Sequence, residues 1–340
     1  MKKCCQIMSF AALLLMVGCG SDSASEPQAQ TATSAANSSL DTPQWQLVWS
    51  DEFDASEIDE SKWSFEVNCF GGGNQEQQCY TARKDNAYIS QGKLVITAKA
   101  ESYSGPAMQD DSPEYDANDT SRPQAYTSAR LRTVDKGDWT YGRFEIRAKL
   151  PKGQGTWPAI WMLPSDWEYG GWAASGEIDI MEAVNLGTAS DRANAPLNER
   201  ETRVHGTLHY GRPWPENVYS GSAYRLPNDV SPADDFHTYA IEWQQGEIRW
   251  YVDDVHYATQ TQSDWYSQQQ VNGQWVTAHS SAPFDQPFHL ILNLAVGGNW
   301  PSQVNEKGVD ASVFPQSLVI DYVRVYECSI APNTGEGCAI

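Results

Sequence analysis

Within the stretch Thr140 to Leu150, apolar and charged residues alternate strictly from Arg143 on: Phe144, Ile146 and Ala148 stand against Arg143, Glu145 and Arg147. A period of two sends one set to a core and the other to water, which is the pattern of a half-buried β-strand. Segments Gln46–Ser50, Ala87–Ser90, Lys93–Ala98, Thr127–Arg132, Gly155–Pro164, Arg203–Gly211, Phe236–Trp243, Glu247–Asp253, Phe288–Val296 and Leu318–Tyr326 also read as strands. Turn signals such as Gln91-Gly92 and Gln244-Gln245-Gly246 separate them, recurring every ~8–12 residues. No window of 12 or more residues carries a helical period, and no repeat is visible. The expectation is an all-β sandwich or jelly roll in one domain, residues 43–327. Two stretches interrupt the rhythm: an acidic, Pro-containing segment at 103–123, read as a surface insertion, and a longer aromatic segment at 258–283.

The termini are of a different kind. Lys2 and Lys3 precede a short apolar run, Met8 to Val17, that ends at Gly18-Cys19. The run is too short to cross a bilayer as a helix and reads as an export signal over residues 1–18. Leu15-Met16-Val17-Gly18-Cys19 resembles a bacterial lipoprotein box, which implies acylation of Cys19 and a lipid anchor in a membrane; an ordinary signal peptide cut nearby is the alternative. Gly20, rather than Asp, points by the same analogy to the outer membrane or cell surface of a Gram-negative bacterium. Residues 19–42 are rich in Ser, Ala, Thr and Gln and read as a disordered tether. Of the 7 cysteines, Cys4 and Cys5 belong to the signal. Cys69 with Cys79, and Cys328 with Cys338, are then expected as local disulfides of an exported protein, the second closing a tail over 328–340. Neither pair has zinc-ligand spacing.

The formal net charge is −21, which leaves no basic patch for nucleic acid or for an anionic membrane surface. It also disfavours a heavily sulfated polysaccharide, while a neutral polymer is indifferent to it. The chain carries 14 Trp and 16 Tyr. Core packing accounts for about half of the tryptophans, and rings that stack on apolar sugar faces would account for the rest.

Ser175-Gly176-Glu177-Ile178-Asp179-Ile180-Met181-Glu182 places three carboxylates within six residues. On a strand Glu177 and Asp179 share one face while Ile178 and Ile180 share the other. Strict alternation would send Glu182 into the core, where an unpaired carboxylate is expensive. One extra residue, a β-bulge at Ile180-Met181, returns Glu182 to the face of the other two acids. Three acids on one face repel, which raises the pKa of at least one. That suits a retaining glycosidase, in which one carboxylate attacks and a protonated partner serves the leaving oxygen. A solvated acidic face or a Ca²⁺ site would use the same residues.

The same octapeptide resembles the bulged active-site signature of glycoside hydrolase family 16. Gly155–Pro164 (Gly-Thr-Trp157-Pro-Ala-Ile-Trp161-Met-Leu-Pro), His205–Gly211, Leu47–Phe53 and Ile320–Tyr326 are similar to segments of that family's bacterial endo-β-1,3-glucanases (laminarinases), in the same order. The resemblance implies a curved β-jelly roll of two antiparallel sheets with a concave substrate groove. It makes Glu177 the nucleophile, Glu182 the acid/base and Asp179 the group that hydrogen-bonds the nucleophile. Asn74, Arg130, Trp157, Trp161, Trp172, His209, Asn293 and Trp300 fall at substrate-binding positions, with Trp161 equally a core candidate and His205 assigned a structural role. No cofactor is implied for catalysis; a structural Ca²⁺ is implied at Glu52, Gly92 and Asp321. The expected partner is a β-1,3-glucan or mixed β-1,3/1,4-glucan, and the expected state a monomer. Two alternatives stand beside this: an agarase-like hydrolase of another neutral polymer, and a non-catalytic glucan-binding lipoprotein. Related binders lose the glutamates that this chain keeps.

Overall fold

The strand Gly142–Lys149 buries every second residue, and Phe144, Ile146 and Ala148 are fully enclosed. That strand is one of twenty in the computed structural model, which describes residues 43–339. The export signal, the tether and Cys19 lie outside the described residues. Two large sheets pack face to face and enclose one continuous core that includes Trp63, Phe144, Trp243, Trp250, Phe284 and Phe288. The architecture is a β-jelly roll, and the only helical elements among the described residues are two short 3₁₀ turns, Pro227–Asp229 and Ala311–Val313.

One sheet runs Val218–Tyr224, Val204–Tyr210, Glu177–Glu182, Thr156–Pro164, Phe288–Val296, Arg130–Arg132 and Ser64–Phe65. It is the sheet that carries the three acids. The other is centred on His237–Gln244, Gly142–Lys149, Gln316–Cys328 and Leu94–Gly105. The chain passes between the sheets at the buried Ala129, where Arg122–Ser128 ends and Arg130–Arg132 begins. On Phe288–Val296 the two faces separate by residue type: Phe288, Leu290, Leu292, Leu294 and Val296 belong to the core. Asn293 and Ile291 lie in register with Ala159 and Trp161 on the opposite face.

Both disulfides form as expected, Cys69–Cys79 and Cys328–Cys338. The second folds the tail back on the start of the domain, where Ser329 and Gln44 exchange hydrogen bonds (3.0 and 3.1 Å). Both proposed insertions need redrawing. Leu94–Gly105 runs on as a long strand and pairs with Arg122–Ser128, so the acidic segment is the loop of a hairpin. The 258–283 segment holds the end of strand Val255–Thr261 and a separate hairpin, Gln268–Val271 with Gln274–Thr277. Its turn residues Asn272 and Gly273 both take positive φ (52° and 76°), the geometry that an Asn-Gly pair favours between antiparallel strands.

Candidate active site

The bulge sits where the alternation demanded it. Against Val204–Tyr210, Asp179 pairs with Thr207 and Glu182 with His205, so three steps on one strand match two on the other. Against Thr156–Pro164, Trp161 pairs with Asp179 and Ile160 with Met181, and Ile180 is the residue left over. Ile178, Ile180 and Met181 all join the core. Glu177, Asp179 and Glu182 therefore face the groove together, and no acid is driven into the hydrocarbon interior.

Each glutamate is held by an indole. Trp172 Nε1 donates to Glu177 Oε2 at 2.8 Å, and Trp157 Nε1 donates to Glu182 Oε1 at 2.9 Å. Between them Asp179 is almost wholly enclosed. His209 is the cationic group paired with the acids among the described residues: its Nε2 lies 3.5 Å from Glu177 Oε1 and 3.4 Å from Asp179 Oδ2. Neither arginine nor lysine forms an ion pair with any of the three acids among the described residues.

The electrostatics follow from that arrangement. Burial, then the neighbouring Asp179 charge, pushes the Glu177 carboxyl above the usual range, with His209 and the Trp172 N–H pulling the other way. Burial and Asp179 push Glu182 further still. Burial also works against charge on His209, but Glu177, Asp179 and Glu182 outweigh it and raise the imidazole to about 10. The site at neutral pH thus holds an imidazolium among carboxyls, and Glu182 is the group most disposed to keep its proton. Glu177, Asp179 and His209 offer ligand atoms within 4.8 Å of one another, but Glu177, Asp179 and Glu182 form no such cluster among the described residues, so the calcium alternative for the three acids lacks a common point.

Other expected groove residues converge here. Trp161 lies on the groove face; its Nε1 donates to Asn293 Oδ1 (2.7 Å), and the Arg130 guanidinium lies over its ring at 4.6 Å. Asn293 Nδ2 donates to the Tyr80 hydroxyl (3.1 Å), which donates to Glu76 Oε2 (3.2 Å). Arg130 is buried and paired with Glu66 at 3.2 Å. Trp157 and Trp300 meet edge to face, with 5.6 Å between ring centroids. The His205 ring packs against Trp300 at 5.1 Å, and burial lowers its pKa to about 4, so it is a neutral ring beside Glu182. Asn74 stands at the rim, its carbonyl accepting from the Asn299 N–H (2.7 Å), while its side chain turns back to Gly72 O. Glu66, Glu76 and Tyr80 were not anticipated. They act behind Arg130 and Asn293, and only the tertiary fold brings them there.

A scan against family models places residues 74–312 in the family described as Glycosyl hydrolases family 16. The chain belongs to that family. It is 45% identical over 302 residues to a beta-glucanase of Rhodothermus marinus, covering 84% of this chain and 86% of that one. It is 41% identical over 289 residues to the glucan endo-1,3-beta-glucosidase A1 of Niallia circulans, covering 83% of this chain and 38% of that longer one. The fold superposes on the X-ray structure of the Rhodothermus marinus laminarinase with a TM-score of 0.66 at 44% identity, over 84% of this chain and 98% of that one. For a family 16 hydrolase no cofactor enters catalysis; the acids supply both attack and proton.

The expected calcium residues come together on the opposite sheet, around a shallow pocket of about 520 Å³ lined by Glu52, Gly92 and Asp321 but also by Lys93, Arg147 and Arg324. Arg324 takes both Glu52 oxygens at 2.9 Å, and Asp321 is shared by Lys93 (3.2 Å) and Arg147. A divalent cation needs several free oxygens. The side-chain carboxylates here are already paired with arginine and lysine, so a calcium ion at this place would depend on backbone carbonyls rather than on these side chains.

Proposed function

We propose that this family 16 enzyme is a retaining endo-β-1,3-glucanase that also takes mixed β-1,3/1,4-glucan, with Glu177 as nucleophile and Glu182 as acid/base. The observation that carries this reading is the bulge, which turns Glu182 to the face of Glu177 while the core stays apolar. Glu177 attacks the anomeric carbon as the bond to the leaving sugar breaks, and Glu182 gives its proton to the departing oxygen. Glu182, now a carboxylate, takes a proton from water; that water attacks the same carbon and Glu177 leaves as a carboxylate. Two inversions return the β configuration. Glu182 suits the acid role because burial and Asp179 favour its protonated form. His209 stabilises negative charge on Glu177 and Asp179 beside it.

The relatives' names favour β-1,3-glucan over agarose as substrate. The retained acids favour an enzyme over a glucan-binding lipoprotein. We place the enzyme outside the cytoplasm as a lipid-anchored monomer; the support is the sequence of residues 1–42, the two disulfides and a groove drawn from one chain. Calcium is not part of this reading. The test is a panel of laminarin, lichenan, agarose and carrageenan, with proton NMR of the first products. Reducing ends from laminarin in the β configuration are expected. Faster cleavage of agarose, or α products, would refute the reading.

A further inference from the structure

The catalytic strand and its neighbours align Glu177 with His209, and His209 with Tyr219 on the edge strand Val218–Tyr224. Three rings lead outward along that line. Trp172 and His209 are 5.6 Å apart at 39°, and His209 and Tyr219 are 5.6 Å apart at 36°. The line does not end in a polar rim. Tyr219 is 72% exposed, and the nearby Trp214 is 73% exposed. Large rings left this open on a folded domain mark a binding surface more often than a packing fault.

Trp214 is also firmly mounted. Its backbone N–H donates at 2.7 Å to the carbonyl of Trp172, the residue whose indole holds the nucleophile. The adjoining Arg212 donates to Gln268 Oε1 (2.8 Å), pairs with Glu216 (3.1 Å) and lies over the Trp275 ring at 4.3 Å. Gly211 exchanges backbone hydrogen bonds with Tyr266 and Gln268, which tie the turn to the base of the 268–277 hairpin. A fixed backbone leaves only the torsions of the ring itself to be ordered when a ligand arrives. Beyond Tyr219 the register positions on the groove face of the edge strand are Gly221 and Ala223. Both are exposed, so the floor stays low there.

The opposite end of the sheet is built differently. Arg130 and Arg132 are paired with Glu66 at 3.2 and 3.7 Å, and Arg132 is also held by Asp111 of the acidic hairpin loop. Asp110 accepts from the Val67 N–H (2.9 Å) and the Tyr115 hydroxyl donates to the Val67 carbonyl (2.9 Å), so the backbone edge beyond Ser64–Phe65 is covered. The charged groups there are already paired with one another.

We propose that Trp214 and Tyr219 form an additional sugar-binding site that extends the groove past the nucleophile on the edge-strand side. Its ligand is a neutral β-linked hexopyranose unit of the same chain being cut. Such a ring presents apolar C–H faces to an indole or phenol, while its equatorial hydroxyls and the tyrosine hydroxyl stay in water. This inference rests on the glucanase reading above, and the test separates the two. Laminarin is titrated calorimetrically into a Glu177→Gln background, with and without Trp214→Ala plus Tyr219→Ala, and with the ring-retaining Trp214→Phe plus Tyr219→Phe. The double alanine change should weaken laminarin binding about tenfold. The double phenylalanine change should stay within about twofold, and thermal melts should match the background for both. Equal laminarin affinity in the background and the double alanine protein overturns the site. No laminarin binding by the background protein overturns the glucan reading on which it rests.

Discussion

Two groups of acids on opposite sheets of this protein meet opposite fates. On the outer sheet Glu52 and Asp321 lie against Arg324, Arg147 and Lys93. Arg324 hydrogen bonds hold Glu52 below its ordinary value. Burial opposes charge on Asp321, but Arg147 and Lys93 outweigh it and hold it low as well. In the groove Glu177 and Glu182 receive indole N–H bonds and a shared imidazolium, with no guanidinium paired to either, and both are raised. A carboxylate with its own arginine is a fixed charge. A carboxylate enclosed with other acids keeps a proton that it can give away, which is what general acid catalysis at neutral pH requires. The difference comes first from burial, which dominates in the groove, and then from the partners supplied.

That contrast can be broken at several points. The largest effect is expected at the reacting groups. Glu177→Ala should lower kcat on laminarin by roughly 10⁴-fold or more, with circular dichroism unchanged; parental turnover would remove Glu177 from the mechanism. Glu182→Gln should cost roughly 10²–10⁴-fold on laminarin, because the amide keeps the Trp157 contact and loses the proton.

Stability should move the other way. A glutamate raised in the native state carries a cost once ionised, and that cost grows as pH rises through its folded value. Glu182→Gln should therefore melt above the parent at pH 8, with the gap closing near pH 4, where both side chains are neutral. A lower melting point for the variant at pH 8 would contradict the raised carboxyl. Glu52→Gln should show the opposite sign: its carboxylate is depressed, so any loss is present near neutral pH and fades as pH falls through the folded value.

The imidazolium offers a finer test. Replacing His209 by Gln removes the cation beside Glu177, and the acidic limb of the kcat/KM profile should move up by about one pH unit or more. An unmoved limb would mean that His209 does not set the nucleophile's charge. The smallest effects belong to the outer cluster. Arg324→Ala should cost at most about 1 kcal/mol in denaturant unfolding, because the pair is half-exposed. A chelator should leave the melting temperature unchanged; a clear drop would restore the calcium site.

Much of this was legible before any coordinates. The bulge followed from one conflict, an acid falling on the core phase of a strand, and the sheet resolves it at the expected residues. Trp157, Trp161, Trp172 and His209 were placed by the family resemblance, and the structure sets them on or beside the strands that carry the acids. The edge strand Val218–Tyr224 escaped notice because its residues, Val-Tyr-Ser-Gly-Ser-Ala-Tyr, are mostly small or exposed and show no buried phase. Ser64–Phe65 and Gln78–Tyr80 are too short to carry a period. The Asn272-Gly273 turn is legible in the sequence but lies within an aromatic stretch whose two strands are only four residues each. The cations around the expected calcium positions were not legible for a different reason: Lys93, Arg147 and Arg324 are scattered in sequence, and only the fold sets them against Glu52 and Asp321.

The claim on which the account turns is that Glu177 forms the covalent link to the sugar. A 2-deoxy-2-fluoro β-glucosyl-(1,3) donor with a good leaving group slows the second step and traps that link. Mass spectrometry of the digested protein should then find the added sugar on the peptide containing Ser175 to Glu182, with fragmentation placing it on Glu177. A stable adduct on Glu182 or Asp179 would contradict the account.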